Sequence, residues 1–208
     1  MSSINLRFVN NSNDEGSAQV VVFQKNMLAP DAETAIAWVV IENCAPGWSH
    51  PFVFPAQLTV AVSDSYGNRS PQQNAGPGEQ FSVVSTTSGD VLQPSGQAAS
   101  PQETAILNML PSGAINANVY RNSTLLSTET NIQPGQKAAF QFSPTIYIGV
   151  VSQLEITPGE VMNSAIISQV NTEISLLGIA GADIVMTGGG PGTSSLPYTF
   201  TLENITYA

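Results

Sequence analysis

The sequence predicts an all-β protein, mostly antiparallel, folded as a sandwich or barrel. Three observations carry this reading. Short apolar runs, alternating or β-branched, recur along the chain. Turn clusters rich in Gly, Pro, Asn, Asp and Ser separate them at intervals of about ten residues, the rhythm of an antiparallel sandwich or barrel. Fourteen prolines and seventeen glycines in 208 residues leave little room for long helices.

The strands are read in order. Ile4 to Val9 alternates, with Ile4, Leu6 and Phe8 on one side. Ala18 to Phe23 is a β-branched run. Ala35 to Ile41 sets Ile36, Trp38 and Val40 among apolar neighbours, so Trp38 reads as core. Leu58, Val60 and Val62 share one face. Phe81 to Val84 follows the Pro77-Gly78 turn. Ile115 to Tyr120, Ala138 to Phe142, Ile146 to Val151 and Tyr198 to Leu202 complete the set. Both terminal strands are expected to enter the sheets.

Two stretches have helical character. Glu103 to Leu110 has good helix formers and stops at Pro111, so at most one short helix, of one or two turns, is expected near 103–110. Asn163 to Leu177 fits either period. Its β-branched and Ser/Thr content favours strand.

An internal echo runs through this pattern. Val22-Phe23-Gln24-Lys25-Asn26 is answered by Val119-Tyr120-Arg121-Asn122. Pro46-Gly47 with Phe52 and Phe54 is answered by Pro134-Gly135 with Phe140 and Phe142. The spacing is 97 at the aromatic residue and 88 at the F-x-F pair, so the copies differ by a deletion or match partly by chance. The expectation is one compact all-β body over 1–208, with an internally pseudo-duplicated sandwich and a seam between half-units near 93–102.

Composition excludes some functions. Forty-two per cent hydrophobic residues supply a core. Charge is scarce at 10%, against about 25% in typical domains. The formal net charge of −10, with only five basic residues, disfavours nucleic acid, whose phosphates must be neutralised by Lys and Arg. It disfavours an anionic membrane surface for the same reason. The single cysteine, Cys44, allows no intrachain disulfide and reads as a small buried hydrophobe. No signal peptide or apolar run of membrane-spanning length is legible, so the expected product is cytoplasmic or non-classically exported.

Candidate chemistry is sparse. His50 is the only histidine, and Cys44 lies six residues before it, with no orienting third group in view. No metal site or catalytic constellation is legible, and the expectation is a non-enzymatic protein. Calcium is considered at Asn11–Gly16 and Asp64–Asn68, though neither has EF-hand spacing and Asx residues in turns usually bond their own backbone. Thr187–Ser195, with four glycines and no lysine, reads as a flexible connection rather than a phosphate loop.

The expected function is self-assembly or binding through surface loops or strand edges, the partner being a second copy, a glycan or a protein surface. A pore-forming protein using a hairpin at 163–187 is one alternative, and the only reading that involves a membrane. A lectin-like module built on Trp48, His50, Asp64, Tyr66 and Asn68 is another, because loop aromatics are common anchors of recognition.

Overall fold

The computed structural model describes residues 3–14, 18–29, 35–151 and 156–208. The first half contains β1 (Ile4–Asn10), β2 (Gln19–Phe23), β3 (Ala35–Ile36), β4 (Val39–Ile41), β5 (Ser49–Phe54), β6 (Leu58–Asp64), β7 (Gln73–Ala75), β8 (Glu79–Thr86) and β9 (Gly89–Gln97). The second half contains β10 (Thr104–Asn108), β11 (Ile115–Arg121), β12 (Thr124–Ile132), β13 (Lys137–Phe140), β14 (Thr145–Val151), β15 (Val161–Met162), α1 (Ser164–Gln169), β16 (Thr172–Ser175), β17 (Ile179–Gly189) and β18 (Leu196–Tyr207). A 3-10 turn lies at Gly192–Ser194.

These strands form two compact units. The first comprises Met1–Gln24, Glu33–Ala56 and Pro144–Ala208; the second comprises Lys25–Ala32 and Gln57–Ser143. The first unit has a sheet ordered β18-β17-β1-β5 and another ordered β16-β14-β2-β4. The second has sheets ordered β13-β10-β8-β9 and β12-β11-β6-β7. Among the described residues no sheet closes into a barrel. In each unit one four-stranded sheet is wholly antiparallel. The other has a parallel ladder at its centre, β1 with β17 in the first and β10 with β8 in the second. The terminal strands β1 and β18 share a sheet, separated by β17.

The two units have the same topology, and the chain visits it in a permuted order. Four blocks follow one another: β1, β2, β4, β5; then β6 to β9; then β10 to β13; then β14, β16, β17, β18. The third block repeats the first, and the fourth repeats the second. Every ladder of the four-stranded sheets has its counterpart. β1 with β5 matches β10 with β13, β2 with β14 matches β11 with β6, and β17 with β18 matches β8 with β9. The first unit joins block one to block four. The second joins block two to block three.

The sequence echo is this repeat. Phe23 pairs with Tyr147 as Tyr120 pairs with Thr59, so Phe23 and Tyr120 are equivalent. Gly47 N–H donates to the Asn10 carbonyl at 2.6 Å, and Gly135 N–H donates to the Asn108 carbonyl at 2.7 Å. Both glycines turn at positive φ, +83° and +82°, which a side chain would strain. The spacing drops from 97 to 88 between β2 and β4, where the first copy carries nine more residues, including β3 and Trp38.

A second insertion follows β14 and contains β15 and α1. The two insertions meet in the first unit, where β3 pairs with β15. They bury Ala37, Ile156, Met162, Ile166 and Val170 against Val21, Phe23 and Val151. This explains a difference between equivalent strands. β2 is buried along its whole length, because both its faces are covered. β11 alternates buried and half-buried, as a strand with one covered face must. The side chains follow: Val21 and Phe23 on β2 stand where Asn118 and Tyr120 stand on β11.

Two local expectations are corrected. The segment expected to be helical near 103–110 is β10, with Thr104, Ala105, Ile106 and Asn108 buried, because its place is the middle of a sheet. Tertiary packing overrides its helix propensity. The short α-helix is instead at Ser164–Gln169, inside a stretch for which strand was favoured. The Asn163 side chain caps it by accepting from Ile166 N–H at 3.0 Å. Ile166 and Val170, four apart, face the core. Strand does form further on, at Thr172–Ser175.

Candidate functional site

Trp48 and His50 belong to the first unit, at the start of the edge strand β5. Trp48 N–H donates to the Ala45 carbonyl at 2.9 Å, and its own carbonyl accepts from Asn10 N–H at 2.9 Å. The backbone is thus held while the indole stays 65% exposed. His50 is exposed beside it, in register with Phe8. Further along the strand, Phe52 and Phe54 make T-shaped contacts with buried Trp38, with ring centroids 6.2 and 5.6 Å away.

Asp64, Tyr66 and Asn68 belong to the second unit, in the turn after β6. The Asp64 carboxylate accepts from Tyr66 N–H and Asn68 N–H at 2.9 Å and from the Asn68 amide at 2.7 Å. These bonds, that of the Asn68 side chain foremost, hold the carboxyl below its ordinary range. The oxygens considered for calcium serve the turn itself. Tyr66 stands at its tip, 90% exposed. The five residues of the lectin-like reading therefore fall into two groups, each on its own unit.

At the other oxygen-rich turn, residues 15–17 lie outside the described residues. Asp14 is described, and its carboxylate accepts from the Tyr198 hydroxyl at 2.6 Å. Burial first, then Asp14, pushes that phenol up to about 12. Among the described residues no group of three or more His, Cys, Asp or Glu could hold a metal ion. Burial pushes the Cys44 thiol up, opposite to the direction that favours a nucleophilic thiolate.

The segment 163–187 does not form the two-stranded hairpin expected of it. β16 pairs with β14 in one sheet, and β17 pairs with β1 and β18 in the other. The short turn between them crosses from sheet to sheet.

β18 is longer than its sequence pattern predicts. It was expected to end at Leu202, yet it runs twelve residues to Tyr207 as an edge strand. Apolar residues resume at Ile205 and Tyr207 one position out of phase with Tyr198, Phe200 and Leu202, at an irregularity where Asn204 has a φ of +48°, so simple alternation stops at Leu202. From Tyr198 to Tyr207 it contains no proline or glycine and one charge, Glu203. Leu196 and Tyr207 are 62% and 75% exposed, and Ile205 is exposed as well. Its structural counterpart, β9, carries Asp90, Pro94 and Gly96, residues that blunt a sheet edge. In β18 the proline, Pro197, stands at the second residue, and the ten residues beyond it lack proline and glycine, whereas Pro94 and Gly96 interrupt β9 itself. Behind the edge, Arg7 forms a bidentate pair with Asp183, which also accepts from the Asn204 amide at 2.7 Å. This ties β1, β17 and β18 together across the sheet.

No family model, no curated protein and no solved structure matches this chain.

Proposed function

We propose that this is a non-enzymatic β-sandwich protein that works through its surface, self-associating by pairing of strand edges. The observation that supports it is the open β18 edge. An edge strand presents unpaired N–H and C=O groups, a template for another strand. Here that template is long and nearly uncharged, and aliphatic and aromatic side chains flank it. Two β18 strands meeting antiparallel make an isologous, self-complementary contact. Light scattering over a concentration series tests this, with the Thr201→Lys/Ile205→Lys variant as comparison. Wild type is expected to exceed monomer mass as concentration rises, and the lysines to abolish the increase. A monomer of unchanging mass would remove the proposal.

A second reading draws support from Trp48. An indole left exposed on a backbone fixed at both N–H and C=O is a preorganised contact for a sugar ring or a protein pocket. A glycan array compared with Trp48→Ala tests it; binding unchanged by the substitution would reject that site.

A further inference from the structure

In the first unit, two blocks far apart in sequence meet along the central ladders of both sheets. β1 lies parallel to β17, and β2 lies antiparallel to β14. Phe8, Val22, Ile148 and Ile184 are fully buried on these strands. In the second unit the equivalent blocks meet in the same way, β10 with β8 and β11 with β6. There a loop at 98–103 joins them directly. It crosses the start of β8, where Ala98 N–H donates to the Gly78 carbonyl at 2.8 Å and Gly78 N–H donates to the Glu103 carbonyl at 2.8 Å. In the first unit Ala208 N–H donates to the Gly178 carbonyl at 3.0 Å, as Ala98 does to that of Gly78. Along the sequence, blocks one and four are linked through residues 57–143.

We infer that blocks one and four form an exchangeable interface whose partner is a second copy of this chain. Block four of one copy docks on block one of another, rebuilding the same ladders. The contact is complementary by construction, since the chain makes it within itself. Exchange of an identical element is a low-cost route to association. Within one copy the linking unit holds block four near block one at an effective concentration on the order of millimolar, so exchange competes when chains refold at comparable concentration. This route is independent of β18 edge pairing. It joins copies through the centre of the sheets, and the product persists on dilution because separating it requires opening a folded unit.

The test uses the full chain with Cys44→Ser, Arg7→Cys and Asp183→Cys. Positions 7 and 183 are register partners on β1 and β17. Neighbouring strands lie about 4.7–4.9 Å apart, within the Cα separation a disulfide spans. The protein is refolded from denaturant at micromolar and at millimolar concentration, oxidised, and run on a non-reducing gel. Reducible dimers and a ladder at the higher concentration are expected, with closed monomer at the lower. Closed monomer at both would overturn the inference. If the cysteines do not close, unsubstituted chains carrying two different tags decide. They are unfolded and refolded together, or refolded separately and then mixed, and both samples are diluted. Heterodimers that survive dilution only after joint refolding support exchange, and their absence refutes it. Edge pairing re-equilibrates in either order of mixing, so loss of one mechanism leaves the other readable.

Discussion

Asn10 and Asn108 share a set of three hydrogen bonds in two different units. Each side-chain amide donates to a carbonyl, that of Cys44 at 2.6 Å and that of Ile132 at 2.9 Å. Each side-chain oxygen accepts from the backbone two residues on, Ser12 N–H at 2.9 Å and Leu110 N–H at 3.0 Å. Each backbone N–H donates at 2.9 Å, to Trp48 and to Gln136. Both residues are buried. A shared strand order could arise from two independent sandwiches. A shared buried asparagine with matching partners, in blocks that also share an F-x-F pair, points to one repeated unit.

Replacing either asparagine with alanine leaves a buried N–H and a carbonyl, half-buried at Cys44 and buried at Ile132, without their side-chain partners. A loss of about 1–3 kcal/mol per substitution is expected. Asn108→Ala is expected at the upper end, because its amide also donates to the Gly113 carbonyl at 2.9 Å. Urea denaturation followed by circular dichroism measures it; unchanged midpoints would show that these bonds carry no stability.

Gly149 marks the close approach of α1 to β14. A Cβ there would sit 2.5 Å from Val170 Cα and 2.6 Å from the Gln169 carbonyl oxygen, both backbone atoms. Gly149→Ala must push the helix outward, at a cost of about 1–3 kcal/mol. Gly76→Ala is the control, since its nearest neighbour would be a Glu79 side-chain atom at 3.7 Å. Thermal melts of the two variants should separate clearly, and equal melting temperatures would contradict the packing described.

Asp183 gives the acid limb of stability a residue to test. Hydrogen bonds from Arg7 and then Asn204 hold its carboxyl below the ordinary range. Its folded pKa is therefore below the unfolded value near ~3.9, so its contribution is complete above that value and is lost as pH falls through the folded one. Asp183→Asn should cost stability at pH 7, and the gap to wild type should close as the solution is acidified below about pH 4. Urea midpoints at several pH values check this. A gap that stays constant down to pH 2 would rule the ion pair out as its source. In the second unit the position matching Asp183 is Gln80, and the acid held down there is Glu103, by Lys137, at a different place in the repeat.

The match of Ala208 with Ala98 bears on chain connection. Joining Ala208 to Ser3 through a linker of similar length to the 98–103 loop should reproduce that crossing in the first unit. β18 and β1 flank β17, so the gap is about two strand spacings, roughly 10 Å. The cyclised chain is expected to melt a few degrees higher, because closure removes unfolded-state entropy. A lower melting temperature would mean that the two crossings are not equivalent.

Much of this architecture is legible in the residues. Alternation in Ile4–Val9 and the spacing of turns announce the sandwich. The Phe23/Tyr120 and Pro46-Gly47/Pro134-Gly135 correspondences announce the repeat. The change in spacing from 97 to 88 locates the insertion that brings Trp38. What the residues do not announce is which block pairs with which. Blocks one and three carry similar apolar faces, so periodicity alone gives blocks two and four no preference between them. The helix at 164–169 was obscured because Ile166 and Val170 fit both periods; Asn163 and the gap opened by Gly149 decide it. The candidate surface was legible in part. Trp48 and Tyr66 are exposed as their Gly-flanked turns suggested, but assignment of their loops to different units depends on topology. The open edge of β18 depends on topology too, since only the sheet order makes it an outermost strand.

Amide hydrogen exchange at low and high protein concentration tests the proposed self-association where it is placed. Residues 196–207 should gain protection as concentration rises, and residues 89–97 of the guarded counterpart β9 should not. Exchange in β18 that is independent of concentration, in a sample whose mass is rising, would contradict edge pairing as the basis of assembly.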